Sequence, residues 1–201
     1  MLVERALPLH FYELTRMAFA VFKAGLIEDR STELDNYLIE RLKGYFKDLG
    51  YSAAEVDAAV YAQQLGAWAS IPKRLIAVRA FAALPEAAAL AAANKRVGNI
   101  LKKVEGEVKA QVNESLLQED AEKALLNALK IVAVQADNAW ASGDYTGNLQ
   151  ALAALREPVD AFFDKVMVNA DDVAVRANRL GLLATLHAAM NRVADLSKLA
   201  S

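Results

Sequence analysis

The chain has 201 residues, no cysteine and two histidines, with 23 Lys and Arg residues against 25 Asp and Glu residues. The lack of cysteine excludes disulfide scaffolds and cysteine-based zinc sites. His10 and His187 alone do not supply a histidine-rich metal centre. Alanine occurs throughout, only nine residues are glycine and 7% are aromatic, a composition typical of packed helices. We therefore predict an all-α fold.

Helical periodicity and capping signals predict three helices at the start of the chain. The first covers residues 10–26 and the second covers residues 32–49. Ser52 and Glu55 form a capping-box pattern that begins the third helix, which extends to about Gln64.

Two prolines mark the next two helices, because proline is tolerated at the first helical position, where its missing N–H would have no partner. One helix runs from Pro72 to Pro85 and the next from Pro85 into Glu105. The second has an apolar stripe that includes Asn94, and its opposite side is strongly basic. That basic face consists of Lys95, Arg96, Asn99, Lys102 and Lys103.

Four further helices are predicted in the remainder of the chain. A stripe beginning at Leu125 ends at residues 142–143, and Asp144 caps a short helix after it. Pro158 begins another helix, and a break at residues 169–172 precedes the last one. The total is about nine helices and no strand.

No membrane helix is predicted, because no window reaches the roughly 18 uninterrupted apolar residues that such a helix needs. Glu4, His10 and Glu13 interrupt the basic-then-apolar pattern of a signal peptide. Since cysteine is also absent, we expect a cytoplasmic protein.

Charge is distributed unevenly, although the net charge is only −2. Residues 71–109 hold eight basic and three acidic residues, whereas residues 110–175 hold four basic and eleven acidic residues. The stretch from Arg176 onward is basic again. This asymmetry permits a basic surface that faces a polyanion.

Three sequence strings are more specific than the periodicity: LAAANKRVGNIL at residues 90–101, PVDAFFDKVMV at residues 158–168 and RANRL at residues 176–180. They resemble the C-terminal part of the bacterial glycyl-tRNA synthetase β-subunit family, and shorter strings extend this resemblance over nearly the whole chain. The last portion is similar to the DALR-type anticodon-binding domain shared with arginyl-tRNA synthetase. Val175 stands where that motif usually has Leu.

The resemblance implies a fragment of a longer β chain, with N-terminal helices over residues 1–70 and a DALR-type helical domain over residues 71–201. It implies recognition of the tRNA(Gly) anticodon, and contact with the α subunit through the full β chain. The parent ligase uses ATP and Mg²⁺, and its catalytic centre resides in the α subunit. We therefore expect no catalytic residue, cofactor or metal in this fragment, and neither DNA nor a membrane as a partner.

Several basic side chains are candidate RNA contacts. The basic face of the 85–105 helix could follow tRNA phosphates, or it could simply be solvated, and both interpretations stay open. Arg74 and Arg79 on the preceding helix and Arg176 near the start of the last helix are further candidates. Asn178 could contact RNA or face water.

Arg179 is different, because it falls within the apolar stripe of the last helix. A buried guanidinium is costly unless it is paired. We therefore predict a structural ion pair between Arg179 and a carboxylate of the preceding helix, Asp164 or Asp160. Trp140 is expected to pack in the core.

Two other functions compete with anticodon binding. A helical module that contacts the α subunit or the rest of the β chain, with only non-specific RNA affinity, would be supported by exposed apolar residues in the first 26 positions. A small helical enzyme is disfavoured, because these residues assemble no activated nucleophile or metal set.

Overall fold

A computed structural model describes residues 3–23, 25–61 and 68–200. In these ranges the chain forms nine α-helices and no strand, which confirms the all-α prediction. The α-helices are α1 (Phe11–Ala20), α2 (Ser31–Asp48), α3 (Ala53–Tyr61), α4 (Ile71–Ala82), α5 (Ala87–Leu101), α6 (Asp120–Ala141), α7 (Tyr145–Ala151), α8 (Arg156–Lys165) and α9 (Val173–Met190). Short 3-10 helices lie at Trp68–Ser70, Glu114–Leu116, Leu152–Leu155 and Leu196–Leu199.

Side-chain caps begin α3, α7 and α9, and the sequence predicts the first two. The Ser52 backbone N–H donates to Glu55 Oε2 at 2.6 Å, and the Glu55 N–H donates to Ser52 Oγ at 3.2 Å, which confirms the capping box of α3. Asp144 accepts from the Gly147 N–H at the start of α7. Asp172 accepts from two backbone N–H groups at the start of α9.

Some helix ends differ from the prediction. α1 ends at Ala20, and the chain then turns through Gly25, whose φ of +80° suits glycine. α5 ends at Leu101, before the predicted end at Glu105. The predicted end of the third helix, at about Gln64, lies outside the described residues.

One hydrophobic core runs through the described chain from Leu42 to Leu196. Phe46, Phe81 and Phe162 are among its fully buried side chains. The core includes residues on both sides of residue 70 and does not separate two domains there. The predicted domain boundary at residue 70 stays a prediction. No single helix of the described part is long and apolar enough to cross a membrane. The helical segments Trp68–Ala82 and Ala87–Leu101 are long and apolar enough only when they are taken together, and they are bent by 111° where they meet.

The segment that joins α5 to α6 is packed against α9. The side chain of Asn178 holds it, because Asn178 Oδ1 accepts from the Asn113 N–H at 2.7 Å and Asn178 Nδ2 donates to the Asn113 carbonyl at 3.1 Å. Asn178 is thereby buried and hydrogen-bonded to backbone groups, so it does not face water, which is one of the two roles that its sequence position left open. A Cβ atom at Gly181 would overlap the Gln111 carbonyl oxygen, so the segment crosses α9 where there is no side chain.

We expect Gly181→Ala to lower the free energy of unfolding by about 1–3 kcal/mol, because the added methyl overlaps backbone that must move away. Urea denaturation followed by circular dichroism measures this change. Gly44→Ala in α2 is the control, since a Cβ there meets nothing within 4 Å. It should be neutral or stabilise by up to about 1 kcal/mol. Equal stability of the two variants would contradict the packing of the segment on α9.

Candidate nucleic-acid interface

α5 has the two faces that the sequence predicts. Leu90, Asn94 and Val97 are buried, and every residue of the predicted basic face is exposed. The structure nevertheless divides that basic face. Lys95, Asn99 and Lys102 line a groove, whereas Arg96 and Lys103 do not.

The groove, called here the α5 groove, lies between α5, the C-terminal end of α9 and the residues that follow it. Its volume is about 520 Å³. The lining is polar and rich in lysine, and it comprises Asn94, Lys95, Gly98, Asn99, Lys102, His187, Asn191, Asp195, Ser197, Lys198 and Ala200. Sequence reasoning missed Lys198 and Asn191 as lining residues, because no helical period relates the end of the chain to α5.

A pair of amides holds the two sides of the α5 groove together. Asn94 Nδ2 donates to Asn191 Oδ1 at 2.9 Å, and Asn191 Nδ2 donates to Asn94 Oδ1 at 3.0 Å. Asn191 Nδ2 also donates to the His187 carbonyl at 2.7 Å. Because Asn94 is fully buried, this pair satisfies amide groups that would otherwise be costly to bury.

The α5 groove has an excess of positive charge. Lys95, Lys102 and Lys198 face one carboxylate, Asp195, which already accepts from the N–H and the hydroxyl of Ser197 at 3.1 and 2.6 Å. Burial lowers the pKa of His187; Asp195 opposes that shift and Lys102 adds to it. The lowered pKa favours the neutral form of the imidazole.

Arg96 lies outside the α5 groove. Its guanidinium carbon is 4.0 Å from the centre of the Phe163 ring, a cation–π contact with α8. Lys103 is exposed just beyond the end of α5. The five residues of the predicted basic face thus do not form one binding surface.

Arg74 is buried, so the prediction that it extends the RNA surface is wrong. Its guanidinium donates to the carbonyl oxygens of Arg192 and Val193, and it lies 5.4 Å from the Trp140 ring centre and 4.8 Å from that of Tyr145. A guanidinium enclosed in this way stabilises packing and does not reach a polyanion. Trp140 is half-buried beneath it, as predicted for a core side chain.

Arg79 is also engaged within the protein. Its Nε is 2.8 Å from Glu55 Oε1, its Nη2 donates to the Gly50 carbonyl at 2.7 Å, and it lies 4.0 Å over the Tyr51 ring. These contacts join α4 to the start of α3. They give Arg79 a structural role, but its side chain is 49% exposed, so its place among the RNA candidates stays a prediction.

The first half of α9 carries two arginines: Arg176, which stays an RNA candidate, and Arg179, which is structural. Arg176 is half-buried and donates from Nη1 to the Ala170 carbonyl at 3.1 Å. Arg179 is buried, as predicted, but the predicted pairing with Asp164 is wrong. Its partner is Glu122 on α6, with Nε 2.9 Å from Oε1, because the buried side of α9 faces α6 while Asp164 is exposed.

The chain is similar to known proteins in one domain and over its whole length. Residues 90–197, more than half of the chain, match the model of the DALR anticodon binding domain. The whole chain is similar to proteins called glycine–tRNA ligase β subunit, with 57% identity in Thiobacillus denitrificans, 59% in Janthinobacterium sp. (strain Marseille) and 58% in Leptothrix cholodnii. The chain spans 28% of the length of each of these relatives.

The contact between Glu55 and Arg79 predicts a pH dependence of stability. The Arg79 guanidinium, together with the Ser52 N–H, lowers the pKa of Glu55 from an ordinary 4.5 to about 2. The resulting stabilisation is present above pH 4.5 and is lost as the pH falls toward 2. Glu55→Gln should therefore flatten the dependence of the unfolding free energy on pH in this window.

Urea denaturation between pH 2 and pH 6 measures this dependence. Glu105→Gln serves as the control, because Glu105 is exposed and forms no ion pair within the described residues. The Glu105 variant should follow the wild-type curve. If the Glu55 variant does the same, Arg79 does not stabilise the Glu55 carboxylate.

Proposed function

Since the chain belongs to the family of DALR anticodon binding domains, we propose that it binds tRNA(Gly) at the anticodon as part of a glycine–tRNA ligase β subunit. The observation that carries this proposal is the family match over residues 90–197. That range contains α5 from Leu90 onward, all of α6 to α9, and all but the last two residues that line the α5 groove.

The proposed mechanism is binding. In RNA recognition, contacts to phosphates position the strand, while hydrogen bonds and stacking on unpaired bases read its sequence. A loop held in this way would place the acceptor end of the tRNA productively for a distant catalytic centre. We assign the ATP- and Mg²⁺-dependent ligation of glycine to the remainder of the ligase with its α subunit. This chain would contact the α subunit through the full β chain, and we propose that it does so in the cytoplasm.

The direct test is binding of this chain to a tRNA(Gly) transcript and to the same transcript with altered anticodon bases, at two salt concentrations. We expect the altered transcript to bind more weakly at both salts. Affinity that falls by about tenfold or more per changed base would fit the removal of base-specific hydrogen bonds, at roughly 1–3 kcal/mol for each base. Equal and strongly salt-dependent binding of both transcripts would contradict anticodon recognition.

A second candidate function is docking to a protein partner, and the exposure of α1 and α2 favours it. Of the fifteen large hydrophobic side chains that are exposed in the described part, ten lie in residues 9–49. Val21 is 83% exposed, Met17 66% and Leu26 67%. Exposed apolar surface of this kind marks interaction sites. We propose that this face, the exposed apolar side chains of residues 9–49, contacts the rest of the β chain or the α subunit.

The double variant Val21→Asp with Phe22→Asp in the full-length β chain tests the second candidate. Placing charges in a covered apolar contact should lower the thermal stability of the β chain or its co-elution with the α subunit. Ile131→Asp on α6 is the matched control, because Ile131 is 64% exposed and lies outside this face. Unchanged stability and unchanged co-elution of the double variant would reject the docking role.

A further inference from the structure

We propose that the α5 groove binds the sugar–phosphate backbone of the tRNA loop, and that it positions the RNA without reading its bases. Lys95 on α5, Lys102 directly after the end of α5, and Lys198 supply the charge. This inference rests on the proposed function and deepens it, because it assigns one of the two tasks of RNA binding to a defined site.

The convergence of three lysines is the first argument. Lys95 lies on α5 and Lys102 directly follows it, whereas Lys198 lies on the 3-10 helix Leu196–Leu199, so tertiary packing brings the three to one groove. Within the described residues neither Lys95 nor Lys102 forms an ion pair, and the one acid of the groove is hydrogen-bonded to Ser197. Two lysines without an ion-pair partner in the described part of the chain, in a groove whose lining holds one carboxylate, favour a bound anion.

The chemistry of the lining decides between phosphate and base. No aromatic side chain other than the His187 imidazole lines the α5 groove in the part of the chain that the structure describes, so it offers no Phe, Tyr or Trp ring on which a base would stack. The exposed Asn99 amide, which also lines the groove, can donate hydrogen bonds to phosphate and ribose oxygens. The groove is thus equipped for affinity and not for sequence discrimination.

The walls of the α5 groove are fixed before any ligand arrives. The reciprocal amide bonds between Asn94 and Asn191 join α5 to the residues after α9. The His187 imidazole packs against α5 at Gly98, where a Cβ atom would make an ordinary van der Waals contact, 3.4 Å from Nε2. Because the walls are held in this way, the lysines are presented at little cost in ordering the backbone.

Single Lys→Gln variants at Lys95, Lys102 and Lys198, and the triple variant, test the proposal. The dissociation constant for tRNA(Gly) and for the anticodon-altered transcript is measured as a function of salt. The slope of log affinity against log salt is negative, and it should become shallower by about 0.7 for every phosphate that is no longer neutralised. The triple variant should therefore make the slope shallower by about 2. The reduction should be the same for both transcripts. Lys47→Gln on α2 is the control, since Lys47 is exposed and outside the groove.

The outcomes separate the two proposals. If the wild type binds tRNA(Gly) and the triple variant keeps its affinity and salt slope, the groove is not a phosphate site, while anticodon binding stands. A slope reduced equally by Lys47→Gln, or a weakening confined to the unaltered transcript, also overturns the groove proposal. If the wild type binds neither transcript at low salt, both proposals fail. Circular dichroism of the single variants verifies that the fold is retained.

Discussion

The buried ion pair between Arg179 and Glu122 is the contact on which the arrangement of the C-terminal helices depends. The two side chains are 5% and 0% exposed. Glu122 Oε2 also accepts from the backbone N–H groups of Gln118 and Glu119, and Arg179 donates to the Met167 carbonyl at 2.8 Å. Burial acts to raise the pKa of Glu122, but Arg179 and these N–H groups hold it below its ordinary value. Removing one partner of such a pair costs roughly 3–5 kcal/mol.

This pair joins α9 to α6, and the position of α9 creates one side of the α5 groove. Gly181 and Asn178 of α9 hold the segment that joins α5 to α6. One end of the helix is thereby tied to α6, and its other end presents His187 and Asn191 to α5. The candidate RNA site is therefore a product of helix packing and not of one helix.

Arginine and lysine have separate roles in this chain. Arg74 and Arg79 hydrogen-bond to backbone carbonyls and lie over aromatic rings, whereas Lys95 and Lys102 line the groove. The physical reason is that guanidinium is planar and weakly hydrated, so it stacks and enters packed regions, while ammonium keeps its water. A count of basic residues along residues 71–109 consequently overstates the basic surface.

The sequence by itself determined the helical fold, the caps at Ser52 and Asp144, and the two faces of α5, because periodicity and capping act within a few residues. It also placed Arg179 in the buried stripe of α9. Only the tertiary structure decided that Glu122 is its partner and that Lys198 joins Lys95 and Lys102. These pairings depend on helix positions set by the whole core, and a local pattern holds no information about distances between residues far apart in the chain.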